Sequence, residues 1–557
     1  MAVNAAETPD DRLNSTARRL SVALILAALG PLVLWLMLKL AYQGITEPDA
    51  MDYGQLARNV LDGRGFVTSV IRPLTMPVSP NVSAQPDLTH PPLYAIVTAV
   101  LFGAFGAKDS TLALSSALFF LLTIPVVYVL ALRLFGRRVA LLSTLAYILG
   151  ERMLGYALAG TPVTLATFLS TVLLLSLHKG HMANTNPSSR GAGIGAAAAS
   201  GILLGLCYLT EYTFAFALLP IAVYLALART RRRVAVVAVF ALTFFVTAGP
   251  WMVRNYRLTG DPVFGLRHYE LVMMTQSYPA YSLYRVADAR PMGELMGGMA
   301  KDVAKKCVAG VRALHTDLPA LAGGWLMPFF IVGLLHAFRR RGADALRGAA
   351  LGAIGCMALG SLLLRPGPEV LVPFEPFVVI MAMAYLVHLL NGMQVTGGVK
   401  GAVAAGVIAV VALPLAIGLA TRASQPQTVQ PATLRELAKY VTTSSTVVSD
   451  VPWAVAWYTG KTSVWLPKEL GDFTKVDRTR RVDAIYLSPM LGRYAPSEGV
   501  QPWQLMQYQA MLQLQRQTKP TPIDLGGARF AVVGGWPAQN AVLLARTQGP
   551  VAEAPSR

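Results

Sequence analysis

Long apolar runs, separated by short basic connections, constrain what this chain can fold into more than any other feature. Segments 20–42, 112–135, 213–228 and 402–421 each approach or reach the roughly 20 apolar residues needed to cross a hydrocarbon core of about 30 Å. The composition agrees, since 54% of residues are hydrophobic and only 14% charged, with a mean hydropathy of +0.49. The class is a polytopic α-helical membrane protein. The first run is too long for a cleavable signal, and no small-residue cleavage site follows before "AYQGITEPD", so it is expected to stay as an anchor.

A formal charge of +19 invites a nucleic-acid reading, but the basic residues form short clusters between the apolar runs, not one stripe. No nucleic-acid partner is expected. Placing Arg18–Arg19, Arg137–Arg138, Lys179 with Arg190, Arg229 with Arg231–Arg233, Arg339–Arg341 and Lys400 on the cytoplasmic side orients every span by the positive-inside rule. The amino terminus is then cytoplasmic. The stretch 93–107 must not cross, because a crossing there would put every later cluster outside; its length suits an interfacial or re-entrant helix. About 11 transmembrane helices result, over 20–42, 110–135, 138–158, 161–178, 193–210, 213–229, 233–252, 320–338, 346–364, 370–391 and 401–421. That odd number predicts an extracytoplasmic carboxyl terminus. Cys207, Cys307 and Cys356 are too few and too scattered for a disulfide framework or a metal cluster.

The predicted domains are a cytoplasmic tail, 1–19, a transmembrane domain, 20–421, and a small extracytoplasmic α/β domain, 422–557. The transmembrane domain carries a first outer loop at 43–109 with interfacial helices and a large outer loop at 253–319. In the tail domain, "STVVSD", "KTSVWLP", "DAIYLS" and "RFAVVGG" read as strands, between helical stretches such as "TLRELAKYV" and "PWQLMQYQAMLQLQRQ". Residues 1–17 and 548–557 are expected to lack fixed structure. No internal repeat is evident, which counts against a transporter built on inverted halves.

The first outer loop carries the chemistry. In "EPDAMDYGQLARNVLDGRGF", Tyr53, Leu56, Ala57, Val60 and Leu61 recur at helical spacing, predicting an amphipathic helix over 50–62 on the outer leaflet, ended by Gly63. Two readings of its acids stay open. Asp49 caps the helix, with Asp52 in the first turn favoured by the macrodipole; or Asp49 is a carboxylate at the water–lipid boundary, able to take a proton from a polar acceptor.

The same stretch resembles the first outer loop of the C-superfamily membrane glycosyltransferases, in particular the protein O-mannosyltransferase-like and lipid A aminoarabinose transferase-like families. Three further elements are similar to theirs and come in the same order: "HPPLYAIVTAVLFGAFG", "LALRLFGRRVALLSTLAYIL" and "GPWMVRNYRLTGDPVFG". The resemblance covers about the first half of the chain. It implies inverting transfer of a sugar from a polyprenyl-phosphate carrier to an acceptor hydroxyl of a lipid, polysaccharide or protein on the extracytoplasmic face. Asp49 takes the catalytic position, with Asp52 as runner-up. His90, Arg254 and Arg72 would bind the donor phosphate, and Glu211, Glu369, Glu375, Tyr53 and Tyr256 the donor sugar or the acceptor.

The chain also departs from the family. The second outer turn, "ALAGTPVTLATF", lacks the acid that many relatives carry near Val163 or Thr164, and "RPGPEVLVPFEPF" lacks their Arg–Tyr pair. Glu211, Glu369 and Glu375 are the acids available to compensate, with Arg365 a neighbour for Glu375. No metal motif and no cofactor are evident; a divalent cation held by Asp49 with a distant Glu is the alternative. Lys301, Lys305, Lys306 and Arg312 form a basic helix suited to lipid phosphates or to water. Asn81-Val-Ser83 is a glycosylation acceptor only in a eukaryotic secretory pathway, whereas compact loops and the Ala, Arg and Gly content point to a bacterial inner (plasma) membrane. The rival functions are a transporter or lipid flippase, and a non-catalytic acceptor-binding relative.

Overall fold

The computed structural model describes residues 9–78, 84–185, 192–227, 232–288, 290–338, 340–421, 429–442, 445–516 and 521–547. Arg190, Arg229, Arg231 and Arg339 of the basic clusters, the Asn81–Ser83 acceptor and the stretch 548–557 lie outside them. Each stretch read as a span is helical, and six helices are long and apolar enough to cross a bilayer by length and composition: Asp109–Phe135, Val163–Ala183, Arg233–Thr259, Gly342–Leu363, Pro368–Gly392 and Gly397–Thr421. The chain is an integral membrane protein.

The remaining helices are shorter or interrupted. The stretch 138–158 is two helices, Arg137–Leu149 and Glu151–Ala159, because Gly150 between them is extended. Three others begin as 3-10 turns, Tyr212–Ala217 before Leu218–Ala226, Leu318–Gly323 before Met327–Leu335 and Pro368–Phe374 before Glu375–Gly392. The first helix runs Pro9–Leu40, so residues 9–17, expected without structure, are its opening turns. Leu93–Phe105 is 13 residues, about 20 Å at 1.5 Å per residue, too short to span.

All the large loops lie on one side of the helices, here called the loop side. There the tail forms one sheet of seven strands: β1 Val70–Ile71, β2 Thr446–Ser449, β3 Thr462–Trp465, β4 Ala484–Leu487, β5 Ile523–Leu525, β6 Ala528–Trp536 and β7 Ala541–Arg546. The spatial order is β1-β3-β2-β4-β7-β6-β5. The first three pairings are parallel and the last three antiparallel. Alternate residues face opposite layers, as the pleat requires. Val448, Ile485, Leu487, Val542 and Leu544 pack with Phe473, Val476 and Trp503 from helices Leu470–Thr479 and Gln501–Gln515. Val447, Ala484, Tyr486 and Leu543 pack with Ala454, Val455 and Trp457 of helix Pro452–Thr459.

The tail is therefore not self-contained. Its edge strand β1 comes from the first loop, where Val70 pairs with Ser463 and Ile71 with Val464. The layer of Trp457 continues into Ile45, Ala50, Met51 and Ala57, so helix Pro48–Leu61 is roofed by the tail and does not lie bare on a leaflet. Gly54 permits this approach, since a Cβ there would stand 2.9 Å from the Trp457 ring. Asp109, at the start of a membrane helix, receives Trp457 Nε1 at 2.7 Å and the Tyr458 hydroxyl at 3.0 Å, tying the tail to the bundle.

Candidate active site

Helix Pro48–Leu61 begins after Glu47, whose side chain makes no capping bond, and has proline at its first position. Asp49 thus stands in the first turn and not at the cap, where the helix dipole favours its charge. Residues Ala50 to Ala57 are all buried, yet the Asp49 side chain is 58% exposed, so it faces an opening on the loop side. Arg365 Nη1 lies 3.7 Å from Asp49 Oδ2, and Arg365 Nη2 lies 3.4 Å from Glu369 Oε2.

Arg365 is held by the end of helix Arg341–Leu363. The buried Lys306 Nζ donates to the carbonyls of Leu363 at 2.8 Å, Leu364 at 2.7 Å and Glu270 at 2.5 Å, satisfying acceptors that a helix terminus leaves open. Burial pushes the Lys306 ammonium down to about 8. Lys306 is therefore a pin inside the protein and not part of a solvated basic face, whereas Lys301, Lys305 and Arg312 are exposed.

A second group of charges supports the opposite wall. Asp87 accepts from the His90 backbone N–H at 2.6 Å and approaches His90 Nδ1 at 3.2 Å, an Asx-type turn that aims the imidazole. His90 Nε2 stands 3.7 Å from Asp52 Oδ2, and the ring meets Tyr53 edge-on at 4.7 Å. Asp52 is buried and paired with Arg72 Nη2 at 2.7 Å, while Gln55 donates to its other oxygen at 2.9 Å. Burial would lower the His90 pKa, but Asp87 and Asp52 outweigh it and hold the pKa above the ordinary value.

The third wall is a chain of polar contacts. Arg267 Nη1 lies 2.9 Å from Glu211 Oε1 and its Nε 3.2 Å from Glu270 Oε1, which also accepts from the Tyr284 hydroxyl at 3.2 Å. These charges act on Asp49. Burial would raise its pKa, but Arg365, His90, Arg267 and Arg72 together hold the carboxyl below the usual value. Asp49 is ionised at neutral pH, with its tip open and cations on its flanks.

The sequence-based candidates divide accordingly. Asp49 and Glu369 stand exposed at the opening, His90 acts electrostatically on Asp49, and the buried Tyr53 lies within electrostatic reach of Asp49 and Glu211. Asp52 and Arg72 are both buried and paired with each other, with Asp87 3.9 Å from the second guanidinium nitrogen. Arg254 stacks on Trp251 at 4.2 Å and donates to the Asp87 carbonyl at 2.8 Å, so it braces the His90 turn. Tyr256 is 61% exposed, on a helix face other than the one Asn255 presents to Tyr212. Glu375 is buried deeper, beside Gly150 and within electrostatic reach of Tyr147, and Arg365 pairs with Asp49 and Glu369 instead.

Asp87, Arg267, Glu270 and Tyr281 escape sequence reasoning, and so does the role of Arg365, which the sequence marks only as a neighbour for Glu375; Arg365 sits over the Tyr281 ring at 5.9 Å. Asp87 had a readable signal, since an acid three residues before His90 in "DLTH" is the pattern of an Asx turn. Arg267 and Glu270 lie in a short 3-10 helix, Gly265–Leu271, too brief for a periodicity to mark a face. Among the described residues, no three His, Cys, Asp or Glu side chains gather closely enough to hold a metal ion.

Membrane helices bearing a roofed, acid-carrying loop helix and a rim of paired charges define a membrane protein whose polar site sits at the end of the bundle, not across it. Its fold is that of the C-superfamily membrane glycosyltransferases, as the resemblance implied. ArnT from Cupriavidus metallidurans bound to undecaprenyl phosphate superimposes with a TM-score of 0.58 at 17% identity, over 94% of this chain and 97% of that one. The Archaeoglobus fulgidus oligosaccharyltransferase, in a complex with Zn and sulfate, gives 0.57 at 12% identity, over 83% of this chain and 68% of that one. Residues 89–253 match the dolichyl-phosphate-mannose-protein mannosyltransferase family. No curated protein sequence matches the chain.

Proposed function

We propose that this protein is an inverting glycosyltransferase that moves a sugar from a polyprenyl-phosphate carrier to an acceptor hydroxyl on the extracytoplasmic face of a bacterial inner membrane. About 11 crossings, with the amino terminus inside and the loops and tail outside, would put the opening on that face. The observation that carries the reading is the Asp49–Arg365 pair: an ionised carboxylate at an opening, beside a cation that can change partners.

In this mechanism Arg365 moves from Asp49 to the donor phosphate as the carrier binds, a guanidinium being suited to two phosphate oxygens. Loss of that partner raises the basicity of Asp49 at the moment it is needed. The acceptor oxygen attacks the anomeric carbon, its proton passes to Asp49, the bond from that carbon to the phosphate oxygen breaks, and polyprenyl phosphate leaves with configuration inverted. Arg267, and His90 with its pKa raised by Asp87 and Asp52, favour positive charge at the rim, where charge builds on the leaving group. Glu211 and Glu369 hold the two arginines in reach. We assign the charge facing the phosphate to Arg365; a divalent cation shared by Asp49 and a second acid is the rival account, which chelation tests.

The test is release of polyprenyl phosphate from a sugar-loaded carrier by the purified protein. Asp49→Asn should lower it by about 10² or more, since proton transfer typically contributes 10²–10⁴-fold. Release that is unchanged by the substitution, or absent from the wild type with every carrier offered, would refute the reading.

A further inference from the structure

The sheet of the tail has a cleft of its own. Its first strand, β2, has β3 on one side and β4 on the other, both parallel to it. Chain connections therefore leave β2 and β4 in opposite directions, and a crevice opens beyond their carboxyl ends, the place where open α/β sheets bind ligands. A cavity of about 190 Å³ lies there, lined by Asp450, Val451 and Trp453 after β2 and by Met490, Arg493, Tyr494 and Glu498 after β4.

The lining is built for a polar ring with apolar faces. Asp450 is fully buried and held rigid, with one oxygen accepting from the Ser488 N–H at 2.9 Å and the other from the Ser488 hydroxyl at 2.6 Å. Burial pushes its carboxyl up to about 6. The Tyr494 hydroxyl donates to the Asp450 carbonyl at 3.0 Å, and Trp453 stands edge-on to Trp465 at 5.6 Å. At the mouth, Arg493 is exposed and makes no ion pair with any described residue. Flat rings, fixed oxygens and a free cation recognise a sugar better than a lipid tail or a nucleotide base.

The cavity is coupled to the rim of the membrane site. Trp465 stacks on Tyr284 at 6.4 Å, and Tyr284 bonds to Glu270, the partner of Arg267. Arg285, almost fully buried, donates to the carbonyls of Leu466 at 2.7 Å and Glu498 at 3.2 Å, so the large loop is clamped to the cavity wall itself. An acceptor held in the tail would thus be presented to Asp49.

We propose that this cavity binds one sugar ring of a carbohydrate-bearing acceptor, stacked on Trp453 with an anionic substituent toward Arg493. The assignment of the ring to the acceptor rests on the transferase reading; the sugar site itself does not. The probes are methyl glucoside, methyl galactoside and methyl glucuronide, with binding to the full chain in lipid nanodiscs followed by saturation-transfer NMR, free of sugar detergents. Binding should persist in Asp49→Asn and weaken by about tenfold, equivalent to about 1.4 kcal/mol, in Trp453→Ala and in Arg493→Ala. Among the described residues the Arg493 side chain makes no hydrogen bond or ion pair, so its variant guards against loss of structure. No binding by any of the three, binding unchanged in both cavity variants, or binding lost in Asp49→Asn but kept in Trp453→Ala would each overturn the proposal. The readout needs no turnover, so failure of this site and failure of the transferase reading are told apart.

Discussion

Arg365 holds a guanidinium nitrogen 3.7 Å from the Asp49 carboxylate, although most of the membrane domain separates the two in sequence. The pair has a measurable signature. Because Arg365 helps hold Asp49 below its ordinary pKa, Arg365→Ala should let that pKa rise. The acid limb of the rate profile should then move to higher pH, while the maximal rate falls by about 10²–10³, as for loss of one charge-stabilising donor. A profile that keeps its acid limb would mean that the pair does not set the basicity of Asp49.

Asp52, one turn further along, makes a different prediction. It is not the harmless control that sequence alone suggests, because Asp52→Asn leaves the Arg72 cation buried, with Asp87 3.9 Å away as its remaining carboxylate. Removing one partner of a buried pair costs about 3–5 kcal/mol. A large fall in thermal midpoint is expected, and joint replacement by Leu and Met should cost less than either single change. A variant that melts like the wild type yet loses turnover would transfer the catalytic role from Asp49 to Asp52.

The contrast shows what the sequence could carry. Helix periods and basic clusters made the membrane helices legible, and the acid at the start of the first loop marked the site, because both are local patterns. Partner choice was not legible. Whether Asp49 or Asp52 meets water depends on which face the tail covers, and that cover is set by Trp457 against Gly54, hundreds of residues apart. Arg72 read as a free cation for the same reason: its neutralising carboxylate comes from another element. The two-residue strand β1 is too short for any alternation to reveal, though it ties the tail to the residue before Arg72.

His90 predicts a pH dependence of stability. Its pKa lies above the ordinary 6.5 because of Asp87 and Asp52, once their effect overcomes burial. A group raised in this way stabilises the fold fully below its unfolded pKa, and the contribution is lost as pH rises through the folded value. The thermal midpoint of the wild type should therefore exceed that of His90→Gln most at pH 6, with the gap closing as pH rises past 6.5. A gap that widens with pH would show that His90 is held neutral.

Metal removal separates two accounts of the rim. If Arg365 supplies the charge that faces the phosphate, chelation with EDTA leaves release of polyprenyl phosphate unchanged. If EDTA abolishes release and added divalent cation restores it, Asp49 works with an ion shared by Glu47 or Glu369, two acids within electrostatic reach of each other and of Arg365.

Lys306 predicts an effect at a distance. It touches neither Asp49 nor the opening, yet it closes the helix end from which Arg365 departs. Lys306→Met keeps the length of the stem and removes the donors, leaving the carbonyls of Glu270, Leu363 and Leu364 without this partner, at about 1–3 kcal/mol for each that water does not reach. If that matters through the placement of Arg365, kcat should fall about tenfold with little change in KM, as for a group that acts mainly in the transition state. In the Arg365→Ala background the same substitution should cost almost nothing further in kcat, because residues that act as one unit are not additive. Full additivity would instead make Lys306 a general stabiliser of the loop, since the loss would then be felt whether or not a guanidinium stood beside Asp49.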